Sequence, residues 1–312
     1  MAVAATAPDS PTGWSLTLML WVWLTLGAAV MQNVRSLLQR QLSAAEAGRL
    51  TVLGATYVRF LYAVPFAWLG AALLFADRPV PEAGPSFWLS SALGGVAQIG
   101  GTAALLGSFR RRSFAVGTAF SKTEAMQTAA FGFVLLGDSL SWLALAGILI
   151  SLVGVIVMTV QDTPTKAAHW QGGAGLGVLA GAGFAIAAVC YRGAALSLPE
   201  GAFFERAVAT LAVALTVQTV AMGLLLRLQE PGTLTAVLAA WRPGAAVGAA
   251  GALASAGWFS AMTLQNAALV RALGQVELIF AFLTSVWLFR ERVRWRDALG
   301  GGLLLVGVTL LI

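Results

Sequence analysis

Apolar residues dominate long stretches of this chain, and short polar gaps separate the stretches. Ten of them approach the roughly 20 residues that a helix needs to cross the hydrocarbon core of a bilayer. The ten apolar runs are 14–34, 51–75, 86–107, 113–136, 141–160, 174–194, 203–227, 244–264, 268–289 and 297–312. They lack the alternation over about 10 residues that is typical of membrane β-strands. The pattern predicts an all-α integral membrane protein with ten transmembrane helices.

The prolines support this segmentation. Nine of the ten prolines fall in the gaps or near the N-terminus, and only Pro65 lies inside a run. Because proline removes a backbone donor and clashes with the preceding turn, Pro65 predicts a kink in the second helix. Residues 1–13 are interpreted as an N-terminal tail, since they lack the basic start of a cleaved signal peptide.

Composition agrees with the membrane prediction. Hydrophobic residues make up 59% of the 312 residues and charged residues 10%, against about 25% charged residues in soluble domains. The net charge of +6 comes from basic residues that lie mostly between apolar runs, so it indicates a lipid bilayer rather than nucleic acid as partner. One His and one Cys provide too few ligands for a metal site, and no cofactor is expected.

The basic residues also predict an orientation. Thirteen of them, Arg35 included, are assigned to gaps after odd-numbered runs; only Arg78, Arg192 and Arg271 are assigned to gaps after even-numbered runs. The positive-inside rule then places the odd-numbered gaps in the cytoplasm and both termini outside.

The two halves of the chain match each other at an offset of 153 residues. Glu124 corresponds to Glu277 at this offset, and the acidic Asp138 corresponds to Glu291. Such matches between acidic residues are hard to ascribe to chance, because the whole chain contains only 13 Asp and Glu residues. The chain is therefore interpreted as an internal duplication.

The duplicated unit has five helices. The first unit covers 14–160, a loop covers 161–173, and the second unit covers 174–312. Because five is an odd number of crossings, the second unit must insert upside down relative to the first. Two inverted repeats are typical of secondary transporters that work by alternating access.

Two stretches carry a resemblance to a known family. They are TEAMQTAAFGFVLLGDSLSWLALAGILISLVGVIVM at 123–158 and VELIFAFLTSVWLFRERVRWRDALGGGLLLVGVTLLI at 276–312. Both resemble the repeated ending of EamA-type members of the drug/metabolite transporter superfamily: an apolar helix, an acidic residue at a short turn, and a Gly-rich helix. Members often carry a proline near the start of the fourth helix of each repeat, where Ala125 and Leu278 stand here.

The resemblance implies a multi-pass permease of the bacterial inner (plasma) membrane that moves metabolites or drug-like molecules, as importer or as efflux protein. It also implies that both termini are cytoplasmic. The charge distribution predicts the opposite, so the orientation stays open.

Charged residues in the middle of apolar runs are the strongest functional candidates, because a charge at the bilayer centre costs at least ~2.5–3.5 kcal/mol. Lys122 and Glu124 lie midway along the fourth run and Glu277 midway along the ninth. We expect the two glutamates to line a central cavity. On one continuous helix, Lys122 and Glu124 would point about 200° apart and bind different partners. The candidate substrate and coupling residues are Glu124, Glu277, Lys122, Gln98, Ser121, Gln127 and Thr284.

Other residues receive less specific interpretations. Aromatic residues expected near the cavity are Phe120, Phe131, Tyr191, Trp258, Phe280 and Trp287. Arg59 is interpreted as structural. The small residues Gly147, Ser151 and Gly154 indicate close helix packing, within one half or between two copies of the chain.

Together these features predict a secondary active transporter for a small organic solute that works by alternating access, with no catalytic residues. The chain has no G-x-x-x-x-G-K-[ST] motif for ATP, and its paired glutamates suggest proton coupling as a hypothesis. The charges favour a zwitterion or amphipathic metabolite such as an amino acid. An intramembrane enzyme with a paired-glutamate acid–base site, and a channel, are the alternatives. The sequence leaves open the substrate, the coupling ion and homodimer formation.

Overall fold

A computed structural model of the protein describes residues 11–46, 50–110, 114–159, 167–289 and 295–312. Throughout these ranges the regular secondary structure is helical and no strand occurs, which confirms the all-α prediction. The helices are α1 (Pro11–Ala45), α2 (Val52–Leu61), α3 (Val64–Leu74), α4 (Pro85–Arg110), α5 (Phe114–Ser121), α6 (Glu124–Leu136), α7 (Trp142–Thr159), α8 (Ala167–Ser197), α9 (Phe203–Gln229), α10 (Pro231–Ala239), α11 (Trp241–Leu264), α12 (Ala267–Gly274), α13 (Glu277–Phe289) and α14 (Trp295–Thr309).

Within the described ranges, five helical segments are long and apolar enough to cross a membrane. They are Val52–Leu74, Pro85–Ser108, Gly173–Ser197, Phe203–Gln229 and Trp241–Leu264. Large apolar side chains are exposed on the outside of these segments, among them Leu73, Leu93 and Val220. Such a surface suits contact with lipid.

Several element boundaries differ from the sequence prediction. Helix α1 begins at Pro11 and α8 at Ala167, so parts of the expected tail and of the expected loop at 161–173 are helical. Arg35, Arg192 and Arg271 lie inside α1, α8 and α12. Their assignment to gaps between helices was therefore wrong.

Three of the apolar segments are interrupted. The break between α2 and α3 has Pro65 in the first turn of α3, as the proline predicts. The other two breaks, at 122–123 and 275–276, contain no proline, and tight i→i−3 bonds such as Thr123 N–H to Phe120 O replace the α-helical bonds there. Tight turns inside a long helix are common at functional hinges.

The helices pack in pairs along their lengths: α1 against α11, α4 against α8, and α7 against α14. Small residues allow this close approach. A Cβ atom at Gly147 would lie 2.7 Å from the carbonyl oxygen of Gly307, and one at Gly154 would lie 2.6 Å from that of Gly300. The stripe on α7 thus packs against α14 in the other half of the same chain, which corrects both predicted locations.

Candidate functional site

A cavity of about 280 Å³ lies where the interrupted helices meet α1, α4, α8, α9 and α11. The breaks in α2–α3, α5–α6 and α12–α13 all border it. Its charged lining residues are Arg35, Arg59, Lys122, Glu124, Arg271 and Glu277.

Two ion pairs join the halves of the chain across this cavity. Lys122 Nζ contacts Glu277 Oε1, and Arg271 Nη2 contacts Glu124 Oε1. Each cation therefore pairs with the glutamate of the opposite half. The glutamates also begin α6 and α13, where the positive end of a helix dipole stabilises a carboxylate.

The break in α5–α6 explains how Lys122 and Glu124 reach the same cavity, contrary to the prediction for a continuous helix. The side-chain amide of Gln275 donates to the Lys122 carbonyl oxygen at 3.2 Å. Gln275 itself lies in the break between α12 and α13. One interrupted helix thus supplies a hydrogen bond to a carbonyl at the interruption of the other.

Gln32 connects this charge cluster to an aromatic wall. Its Nε2 donates to Glu277 Oε2, and its Oε1 accepts a hydrogen bond from Trp258 Nε1 at 3.1 Å. The Arg271 guanidinium lies 5.2 Å from the centre of the Trp258 ring, within cation–π range. A Cβ atom at Gly274 would lie 2.3 Å from this ring, so a larger residue there would have to displace Trp258.

A second polar group lines another wall of the cavity. Gln98 Oε1 accepts from the Tyr191 hydroxyl at 3.0 Å and from Gln218 Nε2 at 2.8 Å. The Tyr191 ring stacks on Phe259 with 4.5 Å between ring centres. Hydrogen bonds and ring stacking thus connect these side chains into one wall of the cavity.

Arg59 and Arg35 complete the polar lining. Arg59 Nη2 donates to Thr102 Oγ1 at 3.2 Å. The Nε atoms of both arginines are buried, and neither has a hydrogen-bond partner within the described ranges. Both guanidinium groups thus have donors that the surrounding helices leave unused.

Five of the seven predicted site residues line the cavity. They are Glu124, Glu277, Lys122, Gln98 and Ser121.

Gln127 does not line the cavity, which corrects its prediction. Its Nε2 donates to Thr123 Oγ1 at 2.7 Å and to the Val178 carbonyl oxygen at 3.2 Å. This side chain therefore faces α8. The Thr284 side chain lies outside the described part of the structure, although its backbone belongs to α13.

The sequence prediction missed Gln32, Arg35 and Arg271 and treated Arg59 as structural. Arg271 lies inside the apolar run 268–289, and that position was a usable signal because an arginine within a membrane run needs a partner. Gln32 gives no such signal, because isolated amides are common near helix ends. Of the predicted aromatic residues whose side chains are described, Tyr191 and Trp258 line the cavity, and Phe120, Phe131 and Phe280 do not; the Trp287 side chain is not described.

Asp138 belongs to a structural link outside the cavity. Its carboxylate accepts hydrogen bonds from Arg192 at 3.1 and 3.4 Å. Arg192 also donates to the carbonyl oxygens of Met262 and Gln265 at 2.6 and 2.7 Å. These carbonyls lie at the end of α11, where helical partners are missing. The corresponding Glu291 lies outside the described residues.

Among the described residues, no group of three or more His, Cys, Asp and Glu side chains could hold a metal ion. The cavity itself offers electrostatic and hydrogen-bonding chemistry, since cations, carboxylates, amides and a phenol line one shared space.

Comparison with known proteins gives a fold but no family. No family model and no curated protein matches the chain. A solved structure, described only as the crystal structure of a protein, matches over 91% of this chain and 97% of its own, with a TM-score of 0.67 and 17% sequence identity. At this identity the likeness shows the fold alone: nearly the whole chain shares the helical arrangement of that protein.

Proposed function

We propose that this protein is an integral membrane protein, in a bacterial plasma membrane, that moves a small organic solute by alternating access. The observation that carries the proposal is the charged cavity at three interrupted helices, inside a bundle whose outer surface is apolar. Charges in such surroundings are costly and are typically retained for function. Interrupted helices around a polar cavity are also a recurrent construction of transporter binding sites.

The proposal includes ten membrane crossings in two inverted units of five. In addition to the five long apolar segments, the crossings would be α1, α5–α6, α7, α12–α13 and α14. The breaks at 122–123 and 275–276 are related by the same offset of 153 residues as the sequence repeat. Equivalent interruptions support equivalent roles for these two helices.

The packing of α7 on α14 supports the inversion. Gly147 approaches Gly307, and Gly154 approaches Gly300, so the beginning of each helix meets the end of the other. At the offset of 153 residues, Gly300 is the equivalent of Gly147 and Gly307 that of Gly154. Equivalent helices that meet antiparallel in this reciprocal way are expected of two units related by a two-fold axis in the membrane plane.

The cross-paired charges suggest how the halves would change their relation. Both ion pairs, Lys122 with Glu277 and Arg271 with Glu124, connect opposite halves. A proton on Glu277 would weaken its bonds to Lys122 and Gln32 and loosen that connection. Proton uptake would thus favour rearrangement of the cavity, which is the physical basis of the proton-coupling hypothesis.

Solute counterflow in proteoliposomes tests the proposed function. A screen of metabolites by thermal shift first identifies a solute, since a ligand that binds only the folded state raises its apparent stability. Labelled solute should then exchange against unlabelled solute, and Glu277→Gln should abolish the pH dependence of this exchange. Glu82→Gln, the same change at an exposed position between α3 and α4, is the control and should exchange normally.

Other outcomes would count against the proposal. Passive flux without counterflow would indicate a channel. Full, pH-dependent exchange by Glu277→Gln would remove this carboxyl group from the mechanism. The two glutamates bind different cations rather than each other, so the geometry does not favour the shared-proton dyad of an intramembrane enzyme.

A further inference from the structure

The charges that line the cavity do not balance. Among the described residues, four cations and two carboxylates line it. Each carboxylate is already engaged in an ion pair, Glu277 with Lys122 and Glu124 with Arg271. Arg35 and Arg59 are therefore left without a carboxylate partner within the described ranges.

These two arginines lie close enough to influence each other. A Cβ atom at Gly251 would lie 3.3 Å from Arg35 Cδ and 3.8 Å from the Arg59 carbonyl oxygen, so both residues lie beside the same point of the cavity wall. Among the described residues, Glu277 is the carboxylate whose charge acts on Arg35. Glu277 is, however, already bound by Lys122 and Gln32. The cavity thus holds two like charges, each with a buried Nε–H that has no acceptor among the described residues. This arrangement is unfavourable unless another anion joins it.

Both arginines line the cavity, and its volume of about 280 Å³ leaves room for such an anion. Guanidinium groups offer forked donors that match carboxylate and phosphate oxygens. Two of them facing one space can therefore bind a single anionic group.

The rest of the cavity lining suits an apolar part of the solute beside its anionic group. The Arg59 guanidinium lies 4.5 Å from the centre of the Phe60 ring, and Phe60, Trp258 and Phe259 also line the cavity. A volume of about 280 Å³ lies at the lower limit of the roughly 300–1,000 Å³ of drug-sized ligand sites. The solute is accordingly small.

Resting on the proposed transport function, we infer that the solute is a small organic anion and that Arg35 and Arg59 bind its carboxylate or phosphate group. The oxygen atoms of the anion would accept hydrogen bonds from the Nε–H groups of the two arginines, which have no acceptor among the described residues. The Lys122–Glu277 and Arg271–Glu124 pairs then serve the movement of the two halves, while the arginine pair selects the charge of the solute.

A panel of matched compounds tests this inference on the purified full-length protein in detergent. The probes are 3-phenylpropionate, phenyl phosphate, 3-phenylpropionamide and 3-phenylpropylamine, together with hexanoate, hexanamide and hexylamine. We expect the anions to raise the apparent Tm by about 2–4 °C at saturating concentration, and the amides and amines to leave it unchanged. The difference between phenyl phosphate and 3-phenylpropionate shows which anionic group the site prefers. Stabilisation by the amides or amines, or by no member of the panel, overturns the inference.

Variants separate a binding role from a structural role. Arg59→Gln should abolish the response to anions and raise the Tm of the ligand-free protein, because it removes one of two like charges. A merely structural arginine would lower that Tm. Arg59→Lys should keep part of the anion response, and Arg78→Gln, which removes an exposed cation paired with Glu205 outside the cavity, should keep all of it.

Counterflow keeps the two proposals distinguishable. An anion that binds through Arg59 but shows no counterflow contradicts transport and leaves the anion site standing. A neutral or cationic solute that shows counterflow contradicts the anion site and leaves transport standing.

Discussion

The ion pair between Glu124 and Arg271 joins α6 to α12 beside the cavity, where Glu124 is almost fully buried, with 9% of its side chain exposed. Removing either partner leaves the other charge poorly solvated. We expect Glu124→Gln or Arg271→Gln alone to lower the free energy of unfolding by about 1–3 kcal/mol. The double variant should lose less than the sum, with a coupling of about 0.5–3 kcal/mol. Denaturation of the four proteins in detergent measures all these values.

The pair formed by Arg78 and Glu205 is the control for this cycle. Arg78 has 59% of its side chain exposed, so water screens the interaction. Its double-variant cycle should show almost no coupling. Additive losses at Glu124 and Arg271 would contradict the contact as described.

At the level of single residues, the sequence identifies a charged residue within an apolar run more readily than it identifies the residue that pairs with it. Glu124, Glu277 and Lys122 stand out because they interrupt apolar runs. Arg271 was assigned to a gap because charges commonly mark the ends of membrane helices. Its burial depends on Glu124, which lies 147 positions earlier, and no local pattern contains a contact of that range.

Among whole elements, the interrupted helices show which breaks a local sequence pattern can predict and which it cannot. Pro65 forces the break between α2 and α3, because a proline cannot continue the hydrogen bonds of the preceding turn. The breaks at 122–123 and 275–276 lack this signal. They coincide instead with a tertiary contact, the hydrogen bond from Gln275 to the Lys122 carbonyl oxygen. A pattern of apolar residues therefore predicts the extent of these helices but not their interruptions.

The contact between α7 and α14 depends on glycine. A Cβ atom at Gly154 would meet backbone atoms of α14, the Gly300 oxygen at 2.6 Å and the Leu304 nitrogen at 2.7 Å. Since backbone cannot rotate away as a side chain can, Gly154→Ala should separate the helices and lower the free energy of unfolding by about 1–3 kcal/mol. Thermal unfolding in detergent measures the loss.

Gly301→Ala is the matched control for this contact. Gly301 also lies in a helix of the pair, and nothing lies within 4 Å of a Cβ atom there. The change should leave stability equal or raise it by up to about 1 kcal/mol, because alanine favours helix more than glycine does. Equal behaviour of the two variants would contradict the close packing.

For the molecule as a whole, the apolar runs predict helix extents within a few residues at most elements; for instance, the run 203–227 corresponds to α9. In helices that cross a membrane, as proposed for this protein, the thickness of the bilayer fixes the length of the apolar stretch. The cavity could not be predicted in the same way. It arises from the relation of the two halves, whose paired helices α1–α11 and α4–α8 join distant parts of the chain.

The proposed inverted arrangement makes a prediction about opposite membrane faces. Ala76 and Gln229 are both exposed and are separated by the repeat offset of 153 residues. If the second unit is inverted, these equivalent positions lie on opposite sides. Ala76→Cys and Gln229→Cys, each made in a Cys190→Ala background, should therefore differ in labelling by a membrane-impermeant maleimide on intact cells.

The charge distribution also predicts which of the two positions lies outside the cell. The excess of basic residues after odd-numbered apolar runs places Gln229 in the cytoplasm and Ala76 outside. Only Ala76→Cys should then react in intact cells, and both variants should react after permeabilisation. The reverse pattern would keep the inversion and give both termini a cytoplasmic location. Reaction of both variants in intact cells would place equivalent positions on one face, and two copies of a five-helix unit inserted in opposite directions cannot produce that result.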